Sequence, residues 1–524
     1  MVSQKGNRTM FGEKIPSAER INIEEFRDKV LGCWTGKNIG GTLGTPLEGR
    51  REMSDLTFYQ QELGGNPAPN DDLDLQLVWL LAVEQRGAYR LTERALGEYW
   101  MRYISGPWNE YGTAKANIVN GLYPPLSGFC NNEKWKYSNG AWIRSEVWAC
   151  LFPAAPDEVV RFAWLDACVD HCGEGIYAEI FTAVLESAAF VERDVRKLID
   201  IALARIPADC RVARSVKLAM ECYDSGIDWR TARNRIVEAS ADLGWFQAPA
   251  NLGFVVLGLL YGEGDFGRSI CIAVNCGDDT DCTGATVGAI LGILMGRKNL
   301  PQKWTEPIGN TIRTVAVQNY QLYVPATLEE LTDRVIHAKL QVERENPTLP
   351  HLSADETRIS ETYRERFVEA GEAVERVLAC SSRALGFDLP WGVLTIDYGT
   401  SPVTAPGETQ KLTLTLTDCP HDNRLACFDW QLPEGWTMNP GASFALQSRQ
   451  RMSSSITVEI TPGEFRDSVV YLPVSLRLSD RRSPLWLTVP FQLRGAIGME
   501  ELVYSEWYKD DEDRLFARRA EKLF

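Results

Sequence analysis

The sequence contains few histidines, four in 524 residues. One of them, His171, stands between Cys168 and Cys172, but no second Cys/His pair lies at the spacing of a zinc finger. A Ser-His-Asp or Cys-His hydrolase needs a histidine held by other polar groups, and four histidines offer little for such a site. Taken alone, His171 is either a partly buried structural residue or a residue that contacts a ligand.

The sequence also lacks excess positive charge and a long apolar run. Its net charge is -16, which argues against free DNA or RNA as the main partner, whereas small anionic ligands stay possible. The first twenty residues contain no apolar signal region, and the apolar run after Thr283 ends at Gly296, short of the roughly 20 residues that span a bilayer. We therefore expect a cytoplasmic protein with no membrane partner, whose 13 cysteines are reduced thiols.

The spacing of apolar residues changes once along the chain. From about residue 21 to 345 the spacing is helical, and a charged amphipathic segment follows. Beyond that segment, stretches such as KLTLTLTD and SSSITVEITP alternate apolar and polar residues with period two. This pattern predicts an all-α domain over 21–385, a β-sandwich of immunoglobulin type with about seven strands over 386–495, and a charged tail over 496–524.

Glycine recurs at every fourth position in two helical segments. Each glycine inside a helix costs about 1 kcal/mol relative to alanine, so a compensating contact is expected. Two compatible interpretations are tight core packing and the close crossing of two helices beneath a site. The two series are Gly32, Gly36, Gly40 and Gly44, and Gly284, Gly288, Gly292 and Gly296.

Two acidic clusters precede apolar helical segments. In NPAPNDDLDLQLVWL, Asn70 is a good N-cap, and Asp71 and Asp72 fall in the first helical turn. In NCGDDTDCTGATVGAILGILMG, Asp279 and Asp281 precede the helix. One interpretation is that the acids interact with the helix dipole, which stabilises a helix by about 0.3–1 kcal/mol per charge. This interpretation explains a single acid well and adjacent acids poorly. The alternative is a site for one or two Mg²⁺ ions, which bind oxygen ligands.

Five motifs together resemble the ADP-ribosylglycohydrolase family, over roughly residues 26–320. They are GTPLEG, NDDLDLQ, SNGAWIR, DHCGEG and CGDDTDCTGATVGAILG. The resemblance implies an all-helical, magnesium-dependent hydrolase that removes ADP-ribose from modified side chains or other acceptors. The predicted β-sandwich and tail lie outside it, and the chain resembles a bacterial subgroup with an added C-terminal β-sandwich.

The resemblance also implies roles for individual residues. Glu48 would lie beside the metal and the scissile ribose, where it would act as general acid, general base or ligand. The alternative interpretation of Glu48 is a charged surface residue in a loop without a role in the site. Asp72 and Asp279 are implied as catalytic residues together with Glu48. The implied ADP-ribose pocket contains Asn139, Gly140 and His171. The implied metal ligands are Asn70, Asp71, Asp72, Asp279, Asp281 and Cys282.

Three positions depart from the family pattern. Asn70 and Cys282 each replace a threonine, and Lys37 stands where many relatives have an acid. An amide oxygen can still bind Mg²⁺, but a thiol is a poor ligand for a hard ion, so the number of ions stays open between one and two.

The expected function is the release of ADP-ribose from an ADP-ribosylated acceptor. One alternative is hydrolysis of a nucleoside or another N- or O-glycoside at the same metal site. Another is a non-catalytic ADP-ribose-binding protein. The sandwich would either cover the helical core, form a dimer or bind carbohydrate, and the sequence leaves the oligomeric state open.

Overall fold

A computed structural model describes residues 17–317, 322–420, 424–450 and 452–496. The described chain divides into two compact units. The first contains the chain up to Ser105, then Tyr123–Phe129 and Lys134–Leu385, and the second contains Gly106–Leu122, Cys130–Glu133 and the chain from Gly386. The predicted limits of the helical domain and the sandwich stay predictions. The predicted tail falls outside the described residues except for Ala496.

The helices vary in length, and the connection between α1 and α2 is one of the longer ones. In chain order they are α1 (Ile23–Gly44), α2 (Asp71–Arg86), α3 (Glu93–Tyr103), α4 (Asn109–Val119), α5 (Leu126–Phe129), α6 (Glu146–Leu151), α7 (Pro156–Ala167), α8 (Glu174–Ala189), α9 (Val195–Leu203), α10 (Arg211–Asp224), α11 (Trp229–Ala239), α12 (Ala248–Tyr261), α13 (Phe266–Asn275), α14 (Thr280–Met295), α15 (Gln302–Thr305), α16 (Leu328–Glu345), α17 (Glu361–Arg364) and α18 (Glu372–Leu378).

The first unit is helical, as the apolar spacing predicts. Two short strands also occur there, β1 (Arg20–Asn22) and β2 (His351–Ser353), which pair in parallel and join the two ends of the helical region. α14 is buried on all sides over most of its length, as expected for a helix without a polar face. No helix among the described residues is long and apolar enough to cross a membrane.

The two glycine series lie against each other where α1 crosses α14. A Cβ on Gly36 would come closer than 3.0 Å to the carbonyl oxygen of Gly288, and a Cβ on Gly288 would come equally close to the carbonyl of Gly36. The pairing is antiparallel and confirms the predicted close crossing. Backbone contacts of this density offset the low helix propensity of glycine. The facing pairs are Gly32–Gly292, Gly36–Gly288 and Gly40–Gly284.

The remaining strands form two five-stranded sheets, ordered β3-β4-β6-β10-β8 and β5-β12-β11-β7-β9. The strands are β3 (Ala384–Leu389), β4 (Gly392–Asp397), β5 (Val403–Thr404), β6 (Gln410–Thr417), β7 (Arg424–Trp430), β8 (Thr437–Asn439), β9 (Ser443–Ser448), β10 (Ser454–Thr461), β11 (Val469–Leu478) and β12 (Leu485–Leu493).

These sheets confirm the predicted β-sandwich but correct its strand number. Alternate residues of β6 and β11, such as Leu414 and Val474, are buried between the sheets. The Tyr398 hydroxyl, after β4, donates a hydrogen bond of 2.8 Å to the carbonyl oxygen of Pro490 in β12 and thereby links the two sheets. The expectation of about seven strands is too low, because β5 and β8 have two and three residues, too few to show alternation.

Candidate metal centre

Two helix ends meet at one end of the α1–α14 crossing. α1 ends at Gly44 and continues as a 3₁₀ turn, Thr45–Leu47, which Glu48 follows directly. α14 begins at Thr280, whose hydroxyl donates a hydrogen bond of 2.8 Å to the carbonyl oxygen of Gly44. Because the helices are antiparallel, Glu48, which follows the turn at the end of α1, lies beside Asp279, which precedes α14.

The start of α2 lies against the same stretch of α1. Asn70 caps α2, as predicted, because its side-chain oxygen accepts a hydrogen bond of 2.7 Å from the backbone N–H of Asp72. The Thr42 hydroxyl of α1 accepts a hydrogen bond of 3.0 Å from the backbone N–H of Ala68. A Cβ on Gly41 would collide with the Asn70 amide. α1 therefore positions both acidic clusters.

The two acidic clusters come together in the fold. The Cys282 thiol donates a hydrogen bond of 3.6 Å to Oδ1 of Asp72. One ligand atom from each of Asp72, Asp281 and Cys282 lies within 4.8 Å of the other two. The same holds for Glu48, Asp279 and Asp281, so Asp281 belongs to both groups. We call Glu48, Asp71, Asp72, Asp279 and Asp281 together the acid cluster.

Repulsion and burial raise the pKa values of these acids. The charge of Asp281, followed by burial, raises the pKa of Glu48 well above its usual range. Burial, followed by the charges of Asp281 and Glu48, does the same to the pKa of Asp279. Burial is also the main cause of the raised pKa of Asp72. Without a cation, the cluster therefore retains protons that exposed carboxyl groups release.

Two carboxylate oxygens of the acid cluster fit a hard cation. Oδ1 of Asp279 and Oδ1 of Asp281 are buried and accept no hydrogen bond from the described residues. Leaving such atoms without a partner costs free energy, which a divalent ion with oxygen preference would recover. Helix capping does not account for Asp279, because its side chain makes no cap hydrogen bond to α14. The donor set thus fits Mg²⁺.

Asn139, expected at the ADP-ribose pocket, contacts the acid cluster directly. Its side-chain amide donates a hydrogen bond of 2.7 Å to Oδ2 of Asp279, and its oxygen accepts one of 3.0 Å from the indole N–H of Trp142. The carbonyl oxygen of the next residue, Gly140, accepts a hydrogen bond of 2.6 Å from Arg144. These bonds fix the orientation of Asp279. Contact of Asn139 and Gly140 with ADP-ribose stays a prediction.

His171 is fully buried within a polar network. Its Nδ1 lies 2.9 Å from Oδ1 of Asp170, and its Nε2 lies 3.1 Å from the Ser138 hydroxyl. Arg144 binds both carboxylate oxygens of Asp170, and together with His171 it outweighs burial and lowers the pKa of Asp170 to about 2. The Ser138 hydroxyl donates to the carbonyl of Trp135 at 2.5 Å, so it is not a free nucleophile.

This network holds the segment that carries Asn139. Ser138 is the neighbour of Asn139 in the chain, so the bond between His171 and Ser138 supports the amide that contacts Asp279. A direct contact between His171 and ADP-ribose stays a prediction.

Lys37 lies beside Asp72, a contact that the sequence did not predict. Its ammonium group donates hydrogen bonds of 2.7 Å to Oε1 of Glu146 and to the carbonyl oxygen of Ile143, and lies 3.6 Å from Oδ2 of Asp72. Burial acts against the charge, but Glu146 and Asp72 outweigh it and raise the pKa of Lys37. The feature of the sequence that could have indicated these contacts is the lysine at position 37 between the glycines of α1. Glu146 gave no such signal.

Asp278 is a second residue whose role the sequence did not predict. It has a φ of 72°, unusual for a residue with a side chain. Its carbonyl accepts a hydrogen bond of 2.9 Å from Gly49, and its N–H donates one of 2.7 Å to the carbonyl of Arg50. Its carboxylate accepts bonds of 3.0 Å and 3.2 Å from the Phe246 N–H and the Asn251 amide. Asp278 therefore fastens the loop that carries Glu48.

The third aspartate of the first motif, Asp74, has a structural role. One of its oxygens accepts hydrogen bonds of 2.6 Å and 2.7 Å from the backbone N–H groups of Val315 and Ala316. Asp74 thus binds a loop to α2 and is separate from the acid cluster.

The chain is similar to known proteins over its helical region. A sequence model of the ADP-ribosylglycohydrolase family matches residues 22–345, from the N-cap of α1 to the end of α16. The chain is also similar to an uncharacterized protein of Archaeoglobus fulgidus, with 22% identity over 318 residues. That alignment covers 57% of this chain and 98% of the relative. The family match includes the whole acid cluster and ends before the β-sandwich.

Proposed function

Because the chain belongs to the ADP-ribosylglycohydrolase family, we propose that it is a Mg²⁺-dependent hydrolase that cleaves a ribosyl glycosidic bond. We propose further that it releases ADP-ribose from a modified acceptor. The observation that supports the proposal most is the pair of buried carboxylate oxygens without partners on Asp279 and Asp281, beside the carboxyl group of Glu48.

The acid cluster supplies the ligands for the metal in this proposal. Asp71, Asp72, Asp279 and Asp281 would hold it, with the Asn70 oxygen and the Cys282 sulfur as further candidates. When bound, Mg²⁺ supplies a Lewis acid that orients the ribose hydroxyls and lowers the pKa of a water molecule.

Glu48 is the proposed proton-transfer group. It is partly exposed, whereas Asp279 and Asp281 are buried, so a substrate reaches Glu48 more readily. Cleavage at the anomeric carbon gives an oxocarbenium-like transition state and a leaving group that needs a proton. The Glu48 carboxyl would give that proton to the leaving group and then take one from the attacking water.

The remaining polar residues position the acids. Asn139 fixes one oxygen of Asp279, and Asp278 holds the loop of Glu48. The negative charges of the cluster would stabilise the positive charge that develops on the ribose ring.

A panel of substrates tests the proposal. ADP-ribosylated peptides, nucleosides and simple glycosides are each incubated with the protein in Mg²⁺ or in EDTA, and the products are identified by liquid chromatography and mass spectrometry. We expect free ADP-ribose from an ADP-ribosylated peptide, only with Mg²⁺, and its loss in Asp279→Asn. Asn299→Ala, an exposed change at the far end of α14, is the control and should retain activity.

Two other outcomes would replace the proposal. Cleavage of nucleosides or glycosides alone would keep the hydrolase and change the substrate class. Mg²⁺-dependent binding of ADP-ribose without turnover of any substrate, unchanged in Glu48→Gln, would identify a binding protein.

A further inference from the structure

We infer that the centre holds one divalent ion, in the half formed by Glu48, Asp279 and Asp281, and that the ammonium group of Lys37 occupies the place of a second cation beside Asp72. This inference rests on the proposed function for the presence of a metal and narrows the ligand set given there: Asp279 and Asp281 would bind the ion, Glu48 lies beside it as the proton-transfer group, and Asp72 pairs with Lys37.

The first half of the centre consists of oxygen ligands. One oxygen each from Glu48, Asp279 and Asp281 lies within 4.8 Å of the others, a span that one ion can bridge. Asp279 and Asp281 carry two of the three buried oxygens of the acid cluster that have no hydrogen-bond partner among the described residues, and the third, Oδ2 of Asp72, lies beside Lys37. A hydrogen bond from Asn139 already holds the other oxygen of Asp279, which leaves Oδ1 for the ion. This half meets the requirements of a hard cation.

The second half, formed by Asp72, Asp281 and Cys282, has a different character. The thiol of Cys282 donates a hydrogen bond to Oδ1 of Asp72, so that this oxygen already has a partner. A thiol is a soft ligand and replaces here the hydroxyl that a hard ion would use. The ligand set of this half is therefore weaker for Mg²⁺.

Lys37 provides positive charge to the other oxygen of Asp72. Its ammonium group lies 3.6 Å from Oδ2 of Asp72 and also donates hydrogen bonds to the Glu146 carboxylate and the Ile143 carbonyl. Gln76 donates a hydrogen bond of 2.8 Å to Oε2 of Glu146 and fixes that carboxylate in turn. Since Lys37 is 1% exposed, it cannot swing into solvent when a cation approaches.

A second divalent ion beside Asp72 would meet this fixed ammonium group. Like charges a few ångströms apart repel strongly in a buried site, where water screens them poorly. Lys37 and Cys282 therefore act together: the lysine supplies the charge that Asp72 needs, and the thiol removes a ligand that a second ion needs.

Manganese binding tests the inference without an activity assay. Bound Mn²⁺ is counted by equilibrium dialysis with elemental analysis, and electron paramagnetic resonance separates an isolated Mn²⁺ ion from an exchange-coupled pair. For the wild-type protein we expect one Mn²⁺ per chain and an isolated-ion spectrum. Two ions per chain with a coupled spectrum would overturn the inference.

Variants test the role of the two residues. We expect the double variant Lys37→Met, Cys282→Thr to bind a second Mn²⁺, and the charge-retaining variant Lys37→Arg to bind one. Circular dichroism verifies the folding of each variant, and if the double variant does not fold, the wild-type count still decides.

The failures of the two proposals can be distinguished. One Mn²⁺ per chain without any release of ADP-ribose would contradict the proposed function and support this inference. Two bound ions together with Mg²⁺-dependent release of ADP-ribose would support the proposed function and contradict this inference. A protein that binds no ion would contradict both proposals.

Discussion

Gly40 of α1 lies against Gly284 of α14 so closely that a Cβ on Gly40 would come within 3.0 Å of the Gly284 carbonyl oxygen. This is the glycine pair nearest to the acid cluster, one helical turn from Gly44 and the contact with Thr280. The glycine series therefore has a consequence for function as well as packing, because it sets the separation of Glu48 from Asp279 and Asp281.

Gly40→Ala should destabilise the protein by about 3 kcal/mol, the upper range for overpacking, because the added methyl meets a backbone carbonyl that cannot rotate away. Urea unfolding measures the loss. The control is Gly226→Ala, at a turn with φ of 67° where no described atom lies within 4 Å of the added Cβ, so only backbone strain of about 1–2 kcal/mol is expected. Equal losses in both variants would contradict the close crossing.

The effect of Mg²⁺ on stability should grow with pH. The pKa values of Glu48, Asp72 and Asp279 are raised in the folded protein, so their contribution to stability is fully present below their ordinary pKa values and is lost as pH rises through the raised values. A bound cation offsets that loss. Melting temperatures in Mg²⁺ and in EDTA should therefore diverge as pH rises above the ordinary pKa values of these acids, about 4. A difference that stays constant as pH rises would contradict the prediction.

Arg144→Leu should destabilise the protein by about 3–5 kcal/mol, because it leaves the buried carboxylates of Asp166 and Asp170 without their cation. The control is Arg196→Leu, which breaks an exposed ion pair with Asp224 and should change stability little. Denaturant midpoints compare the two variants. A small loss in Arg144→Leu would show that the network does not need its charge.

Asn139→Ala should weaken Mg²⁺ binding by about 10-fold or more, because Asp279 loses the hydrogen bond that orients it. Isothermal titration measures the affinity, and Asn299→Ala is again the control, since its amide bonds only the Met295 carbonyl in the described chain. An unchanged affinity in Asn139→Ala would mean that Asp279 needs no such support.

The sequence predicts this site to the extent that local signals mark it. The paired acids and the glycine spacing are local patterns, and both led to the correct juxtaposition. Lys37 and Glu146 are 109 positions apart, and no period connects them, so their contact follows only from the fold. The same applies to Asp278, whose backbone bonds to Gly49 and Arg50 depend on a loop conformation that propensity does not indicate.

The strands show the same limit. β6 and β10 alternate regularly because one face of each is buried, and the sequence predicts both. β8 has only three residues, and β9 places Ser448 among its buried positions, so neither strand shows a clear alternation of apolar and polar residues. Strands of this kind are recognised from their partners in the sheet rather than from their own residues.

Thermal unfolding with ADP-ribose tests most directly the claim that the acid cluster is a metal-dependent ADP-ribose site. ADP-ribose at about 100 times its dissociation constant should stabilise the protein by about 2.7 kcal/mol, with Mg²⁺ and not with EDTA. The account predicts this shift for the wild-type protein and for Asn299→Ala, and its loss in Asp279→Asn. A shift from ADP-ribose that is equal in EDTA, or that persists in Asp279→Asn, would contradict it.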